Sequence, residues 1–137
     1  MTDTSRNIET VKSIYAAFGR GDVPAILETL AEDVEWEPDA IDHGIPWIVP
    51  GRGRATAARF FEALRGFDVK HFGVRAVMGD GDLVVGLVEI DFVWKPTGKR
   101  LVERCEAHIW RFDAKGRVAS MKHAADTHQH WLVSRPG

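Results

Sequence analysis

The chain has a single cysteine, Cys105, which excludes an internal disulfide and with it the stapled architecture of many small secreted domains. A reducing, cytoplasmic location is therefore expected. Long apolar runs are missing: nothing approaches the roughly 18–20 apolar residues of a membrane helix. The opening MTDTSRNIET shows no signal-peptide pattern. Positive charge is not in excess either. Eighteen Lys and Arg stand against 20 Asp and Glu, and a net charge of -2 gives no basic field for nucleic acid. There is no Gly-rich phosphate loop and no nucleophile elbow. Repeats, linkers and low-complexity segments are absent as well.

What remains is the composition of an ordinary globular domain, with 45% hydrophobic and 28% charged residues. Its 137 residues suffice for one domain, spanning 1–137, with a sizeable core. Five tryptophans and six histidines are many for this length, so aromatic and imidazole chemistry sets the functional question.

Residues 5–18 place Ile8, Val11, Ile14, Tyr15 and Phe18 at three- and four-residue steps, which predicts an amphipathic helix capped by Thr4 or Ser5. Asp22 caps a second helix with Pro24 in its first turn. Val34 and Trp36 alternate in a short strand that Pro38 stops. Residues 39–53 form an irregular loop of the length that usually serves as a lid or binding segment. Thr56 to Leu64 is a third helix. Strands follow at 68–78, 83–94, 101–112 and 117–125, joined by Gly/Asp-rich and Pro/Gly-containing turns. Three helices followed by hairpins indicate an α+β fold, with helices on one face of a curved antiparallel sheet.

The strand Leu101–Phe112 carries the chemistry. Alternation puts Val102, Arg104, Glu106, His108, Trp110 and Phe112 on one face, a mixture suited to a ligand pocket. Cys105 falls on the other face as a small apolar residue expected to be buried. A hairpin centred near Lys115 pairs positions whose numbers sum to about 230, so His108 meets His123 and Trp110 meets Met121, with opposite Cβ atoms roughly 4.5–5.5 Å apart. An imidazole pair shuttles protons near neutral pH. Glu106 either orients His108 or pairs with Arg104. Asp126 either acts as a base or caps the segment 127–133. The run His123, His128, His130 does not match a helical metal-binding pair, so no metal or other cofactor is expected.

The segments Tyr15–Asp22 and Leu30–Trp36, Gly51-Arg52-Gly53 before a helix bearing Phe60-Phe61, and Trp110–Val118 together resemble SnoaL-like proteins of the nuclear-transport-factor-2-like superfamily. The resemblance implies a cone whose three N-terminal helices and bent sheet enclose a pocket. It also implies a homodimer packed through the outer sheet face. Members include ketosteroid isomerase, polyketide cyclases, limonene epoxide hydrolase and scytalone dehydratase, and others that only bind. His108 aligns with the isomerase's oxyanion-hole aspartate, Pro38 with its base and Ile14 with its tyrosine. All three are changed, so steroid isomerisation is not expected. The paired histidines resemble those of scytalone dehydratase, and His123 and Asp126 lie where cyclases keep an acid/base aspartate.

Together these readings predict catalysis by His108, His123, Asp126 and Glu106. The expected ligand contacts are Tyr15, Trp36, Glu37, His43, Trp47, Trp110 and Met121. The expected reaction is a cofactor-free isomerisation, dehydration or cyclisation of a small, largely apolar oxygenated molecule. The alternatives are a non-catalytic ligand-binding protein and an interaction module that uses the sheet face. No nucleic-acid or membrane partner is expected.

Overall fold

A computed structural model describes residues 3–137. Helix α1 (Thr4–Gly19) is capped by Asp3, whose side chain accepts from the Arg6 amide, and not by Thr4 or Ser5. Helix α2 (Val23–Glu28) starts at the expected Asp22 cap with Pro24 in its first turn. Strand β1 (Leu30–Trp36), a two-residue β2 (Gly51–Arg52) and helix α3 (Arg54–Leu64) follow. A meander then runs through β3 (Phe67–Asp80), β4 (Leu83–Trp94), β5 (Lys99–Phe112) and β6 (Val118–Ala124).

The fold is α+β, with a curved, unclosed six-stranded sheet in the order β2-β1-β6-β5-β4-β3. The expectation of a wholly antiparallel sheet needs one correction, because β1 runs parallel to β6. The long excursion through loop, α3 and the meander returns the chain alongside β1 in the same direction, as a parallel pair requires. A fourth helix, α4 (Thr127–Ser134), also joins the three expected ones. Asp126 caps it and accepts from the Gln129 amide, while the Gln129 amide group pairs with both backbone polar groups of Val102.

Strand β4 alternates without interruption, and its inward residues Val84, Val88, Ile90, Phe92 and Trp94 form the sheet side of the core. Strand β5 does not alternate throughout. Val88 pairs with Glu106 and Ile90 with Glu103, so Glu89 alone stands opposite Arg104 and Cys105. This bulge inverts the facing of the strand. Glu106, His108, Trp110 and Phe112 point inward as predicted, but before the bulge it is Leu101 and Glu103 that do so. Arg104 and Cys105 are exposed, correcting the expectation that Arg104 shares the pocket face and that Cys105 is buried. The His108–His123 and Trp110–Met121 pairs form as predicted. Ala125 lies beyond β6 and does not pair with Glu106.

Candidate functional site

The inward face of the β5–β6 hairpin meets α1, α3 and the 39–53 loop around one cavity. About 70 Å3 of it is open to the centre of a water-sized sphere, against roughly 10–15 Å3 for a single water. That is room for several waters or one small ligand. Aromatic rings from α1, β1, the 39–53 loop, α3, β3, β4 and β5 line it, including Tyr15, Trp36, Trp47, Phe60, Phe72 and Trp110, and the polar side chains among them belong to Glu106, His108, His123 and His130.

His108 sits at the centre. Its Nε2 is 2.8 Å from a Glu106 carboxylate oxygen, and its Nδ1 is 2.8 Å from the Tyr15 hydroxyl. A carboxylate only accepts, so Nε2 carries a proton. Burial lowers the ring's pKa below the ordinary histidine value, against the pull of Glu106. The ring is thus neutral, Nδ1 is a lone pair, and Tyr15 donates to it. The Trp110 indole N–H in turn donates to the Tyr15 oxygen at 3.3 Å. Burial also holds the Tyr15 hydroxyl well above its usual range, so it remains a donor. Room for Tyr15 comes from Gly86, which faces His108 across β4; a Cβ there would lie 2.1 Å from the Tyr15 oxygen.

His123 lies opposite, its ring centroid 4.9 Å from that of His108 and nearly perpendicular to it. Glu37 governs its state. That carboxylate accepts from the His123 amide at 2.9 Å and from Nδ1 of the ring. Burial works against a charge on His123, but the Glu37 carboxylate outweighs it and raises the pKa. The imidazolium keeps its Nε2–H, which has no hydrogen-bond partner among the described residues. Glu37 reaches this position through a left-handed backbone, φ 54, a conformation that costs a non-glycine residue roughly 1–3 kcal/mol. It is 1% exposed, fully buried behind His123.

A second carboxylate–imidazole cluster adjoins the first. His130 Nε2 lies 2.6 Å from Glu103 and 3.3 Å from Glu106, and Trp47 Nε1–H donates to Nδ1 at 2.8 Å. Burial disfavours charge on His130, whereas Glu103 and Glu106 draw its pKa toward about 9. A second proton would have to sit on Nδ1, where the indole N–H already points. That bond favours the neutral ring. Glu106 is buried too, yet its hydrogen-bonded histidines hold its pKa well below the carboxylate range, so it stays ionised.

Eight of the sequence-selected residues come together at the cavity: Tyr15, Trp36, Trp47, Glu106, His108, Trp110, Met121 and His123. Glu37 stands directly behind His123. Two do not join them. His43 is exposed, and its carbonyl accepts from Arg135. Asp126 is exposed as the α4 cap and lies outside the cavity lining. Trp47 packs on Phe67 and Trp94. Glu103 and His130 were missed by the sequence reading. The bulge hides Glu103 by reversing its face. His130 is visible only once α4 is known to dock on β5, one turn beyond the Asp126 cap.

Two groupings have the residue types of a metal site, Glu106 with His108 and His123, and Glu103 with Glu106 and His130. In both groupings a histidine nitrogen faces a carboxylate at hydrogen-bond distance, His108 Nε2 on Glu106 and His130 Nε2 on Glu103.

The SnoaL-like domain signature matches residues 11–121. The chain belongs to the SnoaL-like family. An NTF2-like protein of Burkholderia thailandensis is 27% identical, with 98% of this chain and 99% of that one aligned at a TM-score of 0.81. A proposed polyketide cyclase of Pseudomonas putida is 22% identical over 98% and 99% of the two chains, at 0.69. An LEH-like epoxide hydrolase of M. tuberculosis is 18% identical over 96% and 90%, at 0.67. The last two likenesses establish the fold alone. No curated protein matches the sequence significantly. No helix among the described residues is long and apolar enough to cross a membrane. Within the SnoaL-like fold the site lies inside the cone, on the β5–β6 hairpin.

Proposed function

We propose that this SnoaL-like protein is a cofactor-independent acid/base enzyme, of isomerase, dehydratase or cyclase type, acting on a small, largely apolar oxygenated molecule. One observation carries the reading. Two facing imidazoles in an apolar cavity are driven to opposite protonation states, His108 neutral and His123 cationic. Paired groups pushed apart in this way supply an acid and a base at the same pH.

The order Tyr15 hydroxyl, His108 imidazole, Glu106 carboxylate is that of a base oriented by a carboxylate. A substrate proton passes to the Tyr15 oxygen as the Tyr15 proton moves to His108 Nδ1. Glu106 stabilises the imidazolium that forms. His123 gives its Nε2 proton to the developing oxyanion, leaving a neutral ring paired with Glu37. The charge of the site is unchanged overall, which favours the exchange in a buried setting. Polyketide-cyclase and epoxide-hydrolase names among proteins of this fold agree with a small oxygenated substrate. The reading extends to a homodimer through the outer sheet face, where Val85, Leu87, Ala107 and Ile109 lie only partly covered, and to a cytoplasmic location.

Proton NMR of the histidine rings tests the dyad without a known substrate. At pH 7 His108 is expected neutral and His123 charged, and His108→Gln is expected to displace the His123 titration. Two ordinary titrations near 6.5, each blind to loss of the other, would leave a ligand-binding protein as the better reading.

A further inference from the structure

The two carboxylate–imidazole groupings differ in which ring nitrogen can offer a lone pair. In Glu103, Glu106 and His130 the Trp47 indole N–H donates to His130 Nδ1. An indole nitrogen only donates, so Nδ1 holds the lone pair and Nε2 the proton. A metal finds no lone pair at that Nε2. In Glu106, His108 and His123 both rings can offer Nε2. Glu37 keeps a proton on His123 Nδ1. The partner of His108 Nδ1 is the Tyr15 hydroxyl, which can accept as well as donate.

One ligand atom from each of Glu106, His108 and His123 lies within 4.8 Å of the other two. Tetrahedral zinc ligands stand ~3.4 Å apart at bond lengths of about 2.0–2.1 Å, so small side-chain rotations close the set. Glu106 also brings a lone pair that nothing serves. Its Oε2 holds His108, but its Oε1 is buried without a hydrogen bond among the described residues. That oxygen is 3.3 Å from His130 Nε2, whose nearer partner is Glu103 at 2.6 Å. An unserved buried acceptor is costly. Charge points the same way. Glu37 and Glu106 are 1% and 4% exposed, and no Lys or Arg lines the cavity. One imidazolium balances one of these carboxylates, whereas a divalent cation between neutral rings balances both. Glu37 on His123 Nδ1 is also the kind of partner that orients a metal-bound imidazole.

We propose that Glu106, His108 and His123 bind a divalent first-row cation of the zinc type, which replaces the acid proton of His123 and so silences the acid/base pair. The inference lies beyond the acid/base reading, which concerns the metal-free protein. Zinc takes the Nε2 lone pairs of both rings and a Glu106 oxygen, and its fourth position opens on the cavity that all three residues line. His123 gives its Nε2 proton to solvent. The His108 proton moves from Nε2 to Nδ1, where the Tyr15 oxygen accepts it beside the Trp110 N–H. One proton leaves for each ion bound.

Zinc chloride titrated into the full chain tests the site, with Cys105→Ser as the background because that thiol is exposed. Calorimetry in two buffers is expected to give one ion bound and one proton released per chain. In NMR spectra the His108 and His123 ring signals are expected to move together, while the exposed His43, His71 and His128 stay in place. Glu37→Gln is expected to weaken zinc about 10–100-fold, and His123→Gln to abolish binding at the same concentrations. Movement of the exposed histidines alone, or of His130 without His123, overturns the inference. So does binding that survives His123→Gln, or no binding. If a variant does not fold, the ring signals of the Cys105→Ser chain decide. The metal-free titrations judge the acid/base reading separately. Rings that titrate independently and still bind zinc remove the dyad and leave the metal site standing. A coupled pair indifferent to zinc does the reverse.

Discussion

His108 and His123 are the same residue type facing each other across a hairpin, and their neighbours decide which one carries charge. His123 has a carboxylate on Nδ1 and nothing on Nε2, so its charge is compensated and its proton is available. His108 has a carboxylate on Nε2, but Tyr15 fills Nδ1 and burial is complete enough to keep the ring neutral. The consequence for stability has a definite sign. The raised His123 pKa contributes stability that is fully present below the unfolded value near 6.5 and is lost as pH rises through the native value. Replacing Glu37 with Gln removes the larger of the raising influences. The native chain is expected to exceed Glu37→Gln by about 1.5–3 kcal/mol below pH 6, the range of a charge-assisted hydrogen bond. The gap should narrow steadily toward pH 9. Thermal melts of both proteins across that range check it, and a gap that widens with pH would contradict the assignment of charge to His123.

At the scale of elements, two strand irregularities make the site. The bulge at Arg104 and Cys105 lets both Glu103 and Glu106 face inward, which strict alternation forbids for residues three apart. Glycine at position 86 opens β4 so that α1 can insert Tyr15 over the sheet to His108. The obstruction a methyl group would meet is a buried hydroxyl hydrogen-bonded on both sides, so it has little freedom to move aside. Gly86→Ala is therefore expected to destabilise the fold by about 1–3 kcal/mol and to detach Tyr15 from His108. Chemical denaturation measures the first effect. Movement of the His108 ring signals toward those of Tyr15→Phe measures the second. An alanine variant with native stability and native ring signals would mean that α1 can withdraw at no cost.

For the whole molecule, helices and loop cover the concave face of the sheet, while the outer face keeps Val85, Leu87, Ala107 and Ile109 partly exposed around Cys105. Apolar surface of this kind usually marks an interface. Light scattering is expected to give a dimer at micromolar concentration, and Ile109→Glu, outside the cavity, is expected to give a monomer with the same histidine titrations. A native monomer, or a dimer indifferent to that substitution, would place the contact elsewhere or remove it.

Hydrophobic periodicity alone determined the order of helices and strands, because burial of one face imposes a period of 3.6 or 2 on the residues that make it. The register of the β5–β6 hairpin was legible for the same reason: a short turn fixes which residues oppose, so the His108–His123 and Trp110–Met121 pairs could be counted off the chain. Interactions that depend on elements distant in sequence could not be read this way. The bulge in β5 arises from its fit to β4 and leaves no Gly or Pro at Arg104 or Cys105, so Glu103 read as outward-facing. Glu37, expected as a ligand contact, was brought behind His123 by the parallel docking of β1 on β6. His130 joined the site through α4, and His43, an aromatic-loop candidate by composition, was turned to solvent when Trp47 took the inward place. The sequence supplied the cone and half of a proton-transfer pair. Tertiary packing supplied the asymmetry between its two rings, because a pKa depends on which charges and dipoles reach the group through space.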